Sequence, residues 1–483
     1  MLAFGAGAQD YFERAVIIIS IRPFFIFMNT ILFSIKKCIP RALFQALQPA
    51  YHFMLSFCAA FFYGFPSKGI TVIGVTGTTG KTTTIYLAAK MLQNAGLRVG
   101  YTSTALFSDG KKEWINDKKM TMLGRFFTQK MLRRMRQNKC DVAIVETTSQ
   151  GIAQYRHQFI YYDTLVFTGL YPEHIEAHGS FEKYKQAKLE LFRHFERQRR
   201  KGTHKKTLII NGDDEHAADF ANYAVDEKII FTKDEKKGGQ ELGKAVCYKV
   251  IETNASGVEF VFDGNKIQLQ LLGDFTATNA TAAGCIGKTL HLTSEQIKNG
   301  LESIAGVPGR MEKIDEGQNF MVIVDYAFEP HALKMLYDTI SQLKPQNIFH
   351  VFGSTGGGRD VWRRKEIGAL ASERAHAIFV TNEDPYDDDP QAIIDEVFQG
   401  LLTPHTPLHS PQQRKMVEGE NCWRILDRRE AIRKALGMAQ RGDCVLITGK
   451  GCERTMCVKD GKAIPWDERE IVREELRKTM KKE

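Results

Sequence analysis

An α/β fold in two units is predicted by three observations: a central domain with a phosphate-type loop on a parallel sheet, then a Rossmann-like C-terminal domain. Strand-like runs alternate with helical patterns from Lys68 onward. Between a β-type run, Ile70–Ile73, and a helical pattern, Thr83–Gln93, the chain reads GVTGTTGKTTT from Gly74 to Thr84. The alternation pauses at Gly306-Val307-Pro308-Gly309 and then restarts, dividing residues 67–306 from 307–483. A length of 483 residues suits two or three domains.

Residues 1–66 differ from the rest and are expected to form a short apolar helical region. Ala15–Ile35 is apolar but broken by Arg22, Pro23 and Asn29, and Ala50–Phe65 is shorter than a spanning helix needs. Helices packed on the central domain, or lying on the inner face of a membrane, are the favoured reading over spanning ones. No secretory cleavage site is evident, and Met28 is an alternative start.

In the central unit, strands are expected at Ile70–Val75, Val99–Thr102, Val142–Glu146, Thr164–Thr168 and Leu208–Asn211. Val246–Leu272 reads as short strands with a turn at Asp263-Gly264-Asn265, followed by helices Asn279–Leu290 and Ser294–Ile304. Beyond the boundary come strand Met321–Asp325, helix His331–Leu343, strand Ile348–Phe352 and a glycine-rich turn. Strand Ala377–Thr381, helix Gln391–Leu401 and strand Cys444–Thr448 complete the second unit.

The net charge of +9 suits an anionic substrate or an acidic surface. Arg197–Lys206 (RQRRKGTHKK) reads as a solvated loop rather than a nucleic-acid site, because it lacks interleaved aromatics. No nucleic acid is expected as a partner. The nine cysteines form no C-x-x-C pair, which suits reduced thiols in a cytoplasmic protein.

The loop from Thr76 to Thr82 carries the chemistry. Gly77 and Gly80 let backbone N–H groups turn inward, Lys81 reaches outer phosphates, Thr82 offers a hydroxyl to Mg²⁺, and Thr78 and Thr79 complete the turn. The helix N-terminus behind it adds partial positive charge. Glu146 ends a buried-looking strand, where an acid near such a loop commonly holds Mg²⁺.

Read inward, T-G-T-T-G-K-T resembles the T-G-T-N-G-K-T loop of the Mur ligase family. Those enzymes use ATP to activate a carboxylate as an acyl phosphate, which an amine then attacks. VETTSQGIAQYR resembles the M-E-V-S-S-H-G-L-x-Q-x-R segment of the members that add the third peptide residue. The resemblance implies that Glu146 is a magnesium acid and that Thr148, Gln154 and Arg156, with Thr121, contact the muramoyl-peptide. Tyr171–Gly179 looks like D-H-x-D-x-H-G, which maps the ligand of a second Mg²⁺ onto His174. Lys188, nine residues past Gly179, matches a lysine that the family carbamylates into a metal ligand.

Further matches imply an ATP site at Asn279, at Arg310 of G-R-M-E and at Asp325 of V-D-Y-A. Phe352–Asp360 resembles F-G-x-G-G-x-R-D, which puts Arg359 on the transferring phosphate and Arg364 near the incoming amino acid. Where diaminopimelate-adding members carry D-N-P-R, this chain has Glu383-Asp384-Pro385-Tyr386, and Tyr386 supplies no cation. Gly449-Lys450-Gly451-Cys452-Glu453 matches G-K-G-H-E. Glu453, with the acids Glu383 and Asp384, favours an amine-ended amino acid such as lysine, diaminopimelate or a similar diamine.

The implied activity is an ATP-dependent acid–amino-acid ligase with two Mg²⁺ ions, a monomer acting on a muramoyl-peptide at or near the inner membrane face. Residues 1–66 are too short and apolar for the uridine-diphosphate domain usual in the family. A related ligase acting on folate, or one extending poly-amino-acid chains, is the second enzyme reading; Lys81-Thr82-Thr83 argues against the folate pattern G-K-G-S. A non-catalytic, membrane-associated nucleotide-binding protein is the third, and the set Lys81, Glu146, His174, Lys188 and Arg359 argues against it.

Overall fold

The computed structural model describes residues 41–173, 178–234, 242–358, 361–402 and 415–480, with side chains from residue 47 onward. Ala15–Ile35, His174 and Arg359 therefore lie outside the described residues.

Helix α1, Arg41–Phe62, packs on the central unit by one face only. Ala59 and Ala60 are fully buried, and the Ser56 hydroxyl donates to the Tyr155 carbonyl at 2.7 Å. On its other side Leu47, Tyr51, Met54, Phe61 and Phe62 stay exposed. Leu47, Tyr51, Met54 and Phe61 follow one another at spacings of four, three and seven residues, which puts them on one stripe, with Phe62 at its edge. No described helix is long and apolar enough to cross a membrane.

The central unit runs β1 (Thr71–Thr76), α2 (Lys81–Asn94), β2 (Val99–Thr102), β3 (Leu106–Asp109), β4 (Glu113–Ile115), α3 (Arg125–Gln137), β5 (Val142–Glu146) and α4 (Ser149–Ala153). It continues with β6 (Thr164–Phe167), α5 (Phe181–Arg197), β7 (Thr207–Asn211), α6 (Ala217–Ala221) and β8 (Glu227–Thr232). A meander, β9 (Lys244–Asn254), β10 (Gly257–Phe262) and β11 (Asn265–Leu269), precedes α7 (Asp274–Thr289) and α8 (Ser294–Glu302). The described strands form one sheet in the order β11-β10-β9-β8-β7-β6-β1-β5-β2-β3-β4. Pairing is parallel from β9 across to β2, and antiparallel at both ends.

β1 is central, so both of its faces are covered and its apolar residues run on without polar alternation. Ile73 and Val75 pack with Ala88 and Leu92 of α2 and Ala280 of α7. Val72 joins Met131 of α3 and Phe192 of α5 on the opposite face. Gly74 is required by packing, since a Cβ there would lie 2.6 Å from Leu165 and 2.7 Å from Tyr162.

The C-terminal unit comprises β12 (Glu312–Lys313), β13 (Met321–Asp325), α9 (Pro330–Gln342), β14 (Ile348–Phe352), α10 (Arg363–Arg374), β15 (Ala377–Thr381) and α11 (Pro390–Leu401). Then come β16 (Cys422–Ile425), α12 (Arg428–Met438), β17 (Cys444–Thr448), the hairpin β18 (Thr455–Val458) and β19 (Lys462–Pro465), and α13 (Glu468–Met480). Its sheet order is β12-β13-β17-β14-β15-β16, parallel except for β12. Separate apolar clusters cover its two faces, so each sheet has its own core.

Two expectations are corrected. The helix expected from Asn279 begins five residues earlier, at Asp274, because Gly273 (φ 89°) turns the chain directly into it. Asn279 therefore sits within α7 and not at its start. Arg197–Lys206 is not simply a solvated loop. Lys201 ion-pairs with Asp163 and donates to the Ser67 carbonyl at 2.9 Å, and buried Lys206 donates to the Glu196 and Gln198 carbonyls. Long lysine stems cross apolar surface while their ammonium groups cap the ends of other elements. Val246–Leu272 forms short strands that turn at Asp263-Gly264, as expected, and this meander widens the main sheet.

Candidate functional site

Parallel pairing brings the C-terminal ends of β1, β5 and β6 together. Val75 stands beside Glu146, and Thr76 beside Phe167. The loop after β1 therefore opens where ligands bind in open α/β sheets. Gly77 has φ 152° and a Cβ there would fall 2.1 Å from the Thr168 hydroxyl; Gly80 has φ 80° and would meet the Asn279 amide oxygen at 2.4 Å. Glycine is obligatory at both positions, which leaves the cradle lined by backbone.

The loop is braced from β6 and from the helix behind it. The Thr168 hydroxyl donates to the Thr79 carbonyl at 2.6 Å, and Thr78 N–H donates to the Gly169 carbonyl at 2.8 Å. The Thr78 hydroxyl lies 3.0 Å from the Tyr184 hydroxyl and accepts from Tyr171 N–H at 2.9 Å. Lys81 folds back onto the Thr78 carbonyl at 2.6 Å. Lys81 and Thr82 occupy the first turn of α2, which starts two residues ahead of the expected helical pattern. Thr76 is buried, with its hydroxyl oxygen unpartnered among the described residues.

Glu146 is buried at the end of β5 and holds the site's inner edge. Its Oε2 accepts from the Thr82 hydroxyl at 2.9 Å and from Thr104 N–H at 2.8 Å, while Oε1 accepts from the Thr104 hydroxyl at 3.0 Å. Thr104 lies 2.9 Å from Thr121, hydroxyl to hydroxyl. A carboxylate beside a hydroxyl at a phosphate loop is an all-oxygen donor set that fits Mg²⁺, and the backbone-lined cradle fits a nucleotide's phosphates. Lys188 is fully buried on α5 and donates to the Gly77 carbonyl at 2.7 Å. Burial, then the neighbouring Lys81 charge, hold its amine well below the usual lysine range.

Arg310 crosses from the linker to place Nη2 3.5 Å from the Thr82 hydroxyl and lays its guanidinium over the Tyr326 ring. Asn279 lies behind Gly80, its amide oxygen 3.5 Å from the Thr84 hydroxyl. Asp325 lines the same space but commits its carboxylate to the N–H groups of Met311 and Ala327, each at 2.6 Å. It ties the linker to β13.

These groups open into one cavity of about 1020 Å³ between the two units. On one wall Thr148 caps α4 by accepting from Gly151 N–H, and Gln154 accepts from Arg156 at 2.6 Å. Beside them Arg125 bonds His52 Nδ1 at 2.6 Å and the Ser56 hydroxyl at 3.1 Å, which links this wall to α1. Glu383, Asp384, Tyr386, Gly449 and Glu453 form the opposite wall. Glu383 is buried, accepts from the Thr355 hydroxyl at 3.0 Å, and is pushed up by burial. Gly449 (φ 105°) has no room for a Cβ, which would meet Glu383 at 2.2 Å.

Arg364 is a correction. Its side chain is buried within the C-terminal unit, 3.0 Å from Glu396 and donating to the Thr355 carbonyl, and it does not line the cavity. Its neighbour Arg363 does, 5.0 Å over the Phe328 ring. One helical step of about 100° separates the two.

Sequence reasoning missed three further features. Lys119 joins the units through Asp384 and Glu453. His331 stacks on Tyr171 at 3.9 Å. Glu329 caps α9, with its carboxyl pushed up to about 7 by burial and by Glu173. No local pattern marks the Lys119 and His331 contacts, because each joins segments distant in sequence; the Glu329 cap ahead of Pro330 is local, and only its closeness to Glu173 is not.

Residues 75–287 match the Mur ligase middle domain, and residues 309–451 match the Mur ligase glutamate ligase domain. A UDP-N-acetylmuramyl-tripeptide synthetase of Roseiflexus sp. (strain RS-1) is 32% identical over 426 residues, covering 85% of this chain and 79% of the relative. A UDP-N-acetylmuramoyl-L-alanyl-D-glutamate–2,6-diaminopimelate ligase of Syntrophomonas wolfei is 31% identical, over 88% of this chain and 82% of its own. A solved structure of a ligase of that second name superposes with a TM-score of 0.55 at 25% identity, over 85% of this chain and 79% of the other. Folylpolyglutamate synthase of Mycobacterium tuberculosis, at 15% identity and a TM-score of 0.60 over 82% of this chain and 92% of its own, shares the fold. With 32% identity across most of both chains, and two matching domain models in order, this protein belongs to the Mur ligase family.

Proposed function

We propose that this chain is an ATP-dependent ligase that joins an amino acid to the terminal carboxylate of a UDP-N-acetylmuramoyl-L-alanyl-D-glutamate-type peptidoglycan precursor. One observation carries the reading. A single cavity brings together the phosphate loop, the Thr148–Arg156 wall and the Asp384–Glu453 wall, which is room for nucleotide, carboxylate substrate and amine.

In this reading the N–H groups of residues 77–82 and Lys81 hold the phosphates, while Asn279 and Arg310 flank the nucleotide. Thr82 and Glu146 hold one Mg²⁺; His174 and a carbamylated Lys188 hold a second. An unmodified ammonium at Lys188 would repel both ions, whereas a carbamate is a carboxylate-like ligand. Bound ATP supplies the phosphoryl group that makes the substrate carboxylate reactive toward an amine. Thr121, Thr148, Gln154 and Arg156 position the muramoyl-peptide, and Arg359 places positive charge on the transferring phosphate. Closure about Gly306–Gly309, between units 67–306 and 307–483, completes the site.

The test is phosphate release from ATP. Release requiring both a muramoyl-dipeptide and an amino acid supports the reading. Release driven by a folate, or by nucleotide alone, overturns it. A panel of amino acids in the same assay identifies the amine.

The exposed face of α1 is assigned to an anionic lipid surface, such as the cytoplasmic face of a membrane. Its apolar stripe adjoins α3, whose Lys130, Arg133 and Arg136 are exposed, and Arg133 donates to the Tyr63 carbonyl at 3.0 Å. Apolar side chains flanked by cations suit such a surface. The full chain is expected to co-sediment with phosphatidylglycerol vesicles, and Phe61→Ser/Phe62→Ser to weaken this about tenfold. Undiminished binding by that variant refutes the assignment.

A further inference from the structure

Lys119 stands on the loop between β4 and α3, in the central unit, with a left-handed backbone (φ 51°). A lysine held in that region marks a position fixed by its surroundings. Its ammonium lies 2.7 Å from Asp384 Oδ2 and 2.6 Å from Glu453 Oε2, both across the cavity in the C-terminal unit. Lys450 meets the same two carboxylates, at 3.0 Å and 2.7 Å. Burial pulls Lys119 down, but Glu453 and then Asp384 outweigh it, so its ammonium titrates above the ordinary lysine value.

The set holds two ammonium groups and two carboxylates, with no net charge. Two of the three acids read as a receptor for an amine, Asp384 and Glu453, are therefore already matched. A third ammonium could not simply be added, because a buried uncompensated charge is strongly disfavoured. Exchange keeps the set neutral. The two lysines differ in how they are held. Lys450 has a fully buried side chain, donates to the Thr455 carbonyl at 2.8 Å and lies in the same unit as the acids. The hydrogen bonds of the Lys119 ammonium run to the two acids, from a loop on the other unit.

We propose that Lys119 is a tethered stand-in for the side-chain ammonium of the incoming amino acid. It occupies the Asp384–Glu453 pair until a substrate ammonium displaces it. It is thus a specificity-determining residue. A side chain ending in an ammonium replaces it at no cost in charge balance, while a neutral side chain leaves it in place. The exchange also couples amine binding to the contact between the units. This inference rests on the ligase reading and on the assignment of the amine to this wall.

The experiment compares the wild type, Lys119→Met and Lys119→Arg, with L-lysine, diaminopimelate and norleucine as amines. Calorimetric binding of each amine to the protein with ADP is measured beside steady-state KM and kcat. Lys119→Met removes the competitor and leaves the acids in excess. Its affinity for L-lysine or diaminopimelate is expected to rise about tenfold, with the KM falling in parallel and norleucine changing little. Lys119→Arg keeps a cation with a firmer grip and is expected to raise the KM for the same amines. Unchanged or weaker amine binding by a folded Lys119→Met protein overturns the proposal. Failure of every amine to support phosphate release in the wild type overturns the ligase reading instead, and the binding arm still decides the role of Lys119.

Discussion

The Thr82 hydroxyl donates to Glu146 at 2.9 Å, joining the first turn of α2 to the end of β5. Two segments 64 residues apart in sequence thereby present one hydroxyl and one carboxylate to the same corner of the cavity. Thr104 bonds the same carboxylate through its N–H and its hydroxyl, so Glu146 cannot swing away.

Glu146→Gln keeps the shape of this corner but removes its charge. Its kcat is expected to fall by at least about a hundredfold, because an electrostatic role at a transferring phosphate is lost, with thermal unfolding little changed. Phosphate-release kinetics beside a melting curve check this. Near-normal turnover would refute the proposed role of Glu146 in holding Mg²⁺.

Gly77→Ala forces a Cβ against the Thr168 hydroxyl, at a backbone angle that L residues rarely adopt. A destabilisation of about 1–3 kcal/mol is expected from the strain. Nucleotide binding should weaken further still, since the cradle itself must move. Calorimetric titration with ADP measures the second effect directly.

Arg428 and Glu468 are both buried, and they ion-pair beneath β17. Arg428 also donates to the Thr448 and Asn382 carbonyls, and Trp466 Nε1 donates to Glu468 at 2.7 Å. Arg428→Met is expected to destabilise the protein by about 3–5 kcal/mol, because it leaves Glu468 charged and buried. Adding Glu468→Met should restore part of that loss, which denaturant unfolding of the single and double variants will show.

Glu329 sets a pH dependence. Its carboxyl is raised from 4.5 to about 7, by burial first and then by Glu173. Below pH 4.5 folded and unfolded chains both hold this proton; between there and about 7 the unfolded chain releases it while the folded chain keeps it. The stability contributed by this group is therefore lost as pH rises through that window, by at most about 3 kcal/mol. Glu329→Gln should flatten that slope while keeping the cap on α9, as urea unfolding at pH 4.5 and pH 8 would reveal.

The order of strands and helices was legible because a buried parallel strand is an apolar run, as at Val142–Glu146 and Cys444–Thr448. The phosphate loop was legible because its glycines are a local necessity. The start of α7 was not, since Gly273 replaces the usual capping residue. Nor was the orientation of Arg363 and Arg364. Both lie near a glycine-rich turn, and only packing against Glu396 shows which of the two is spent on structure.

The residues of the cradle were determined by the sequence alone. Gly77, Gly80, Lys81 and Thr82 are neighbours in the chain, and their backbone requirements are local. Tertiary structure alone decided what the acids near Tyr386 face. Asp384 and Glu453 read as an open receptor in one dimension, yet in space they already hold Lys119 and Lys450. Charge balance in a buried site depends on groups hundreds of residues apart, and only the folded chain brings them within bonding distance.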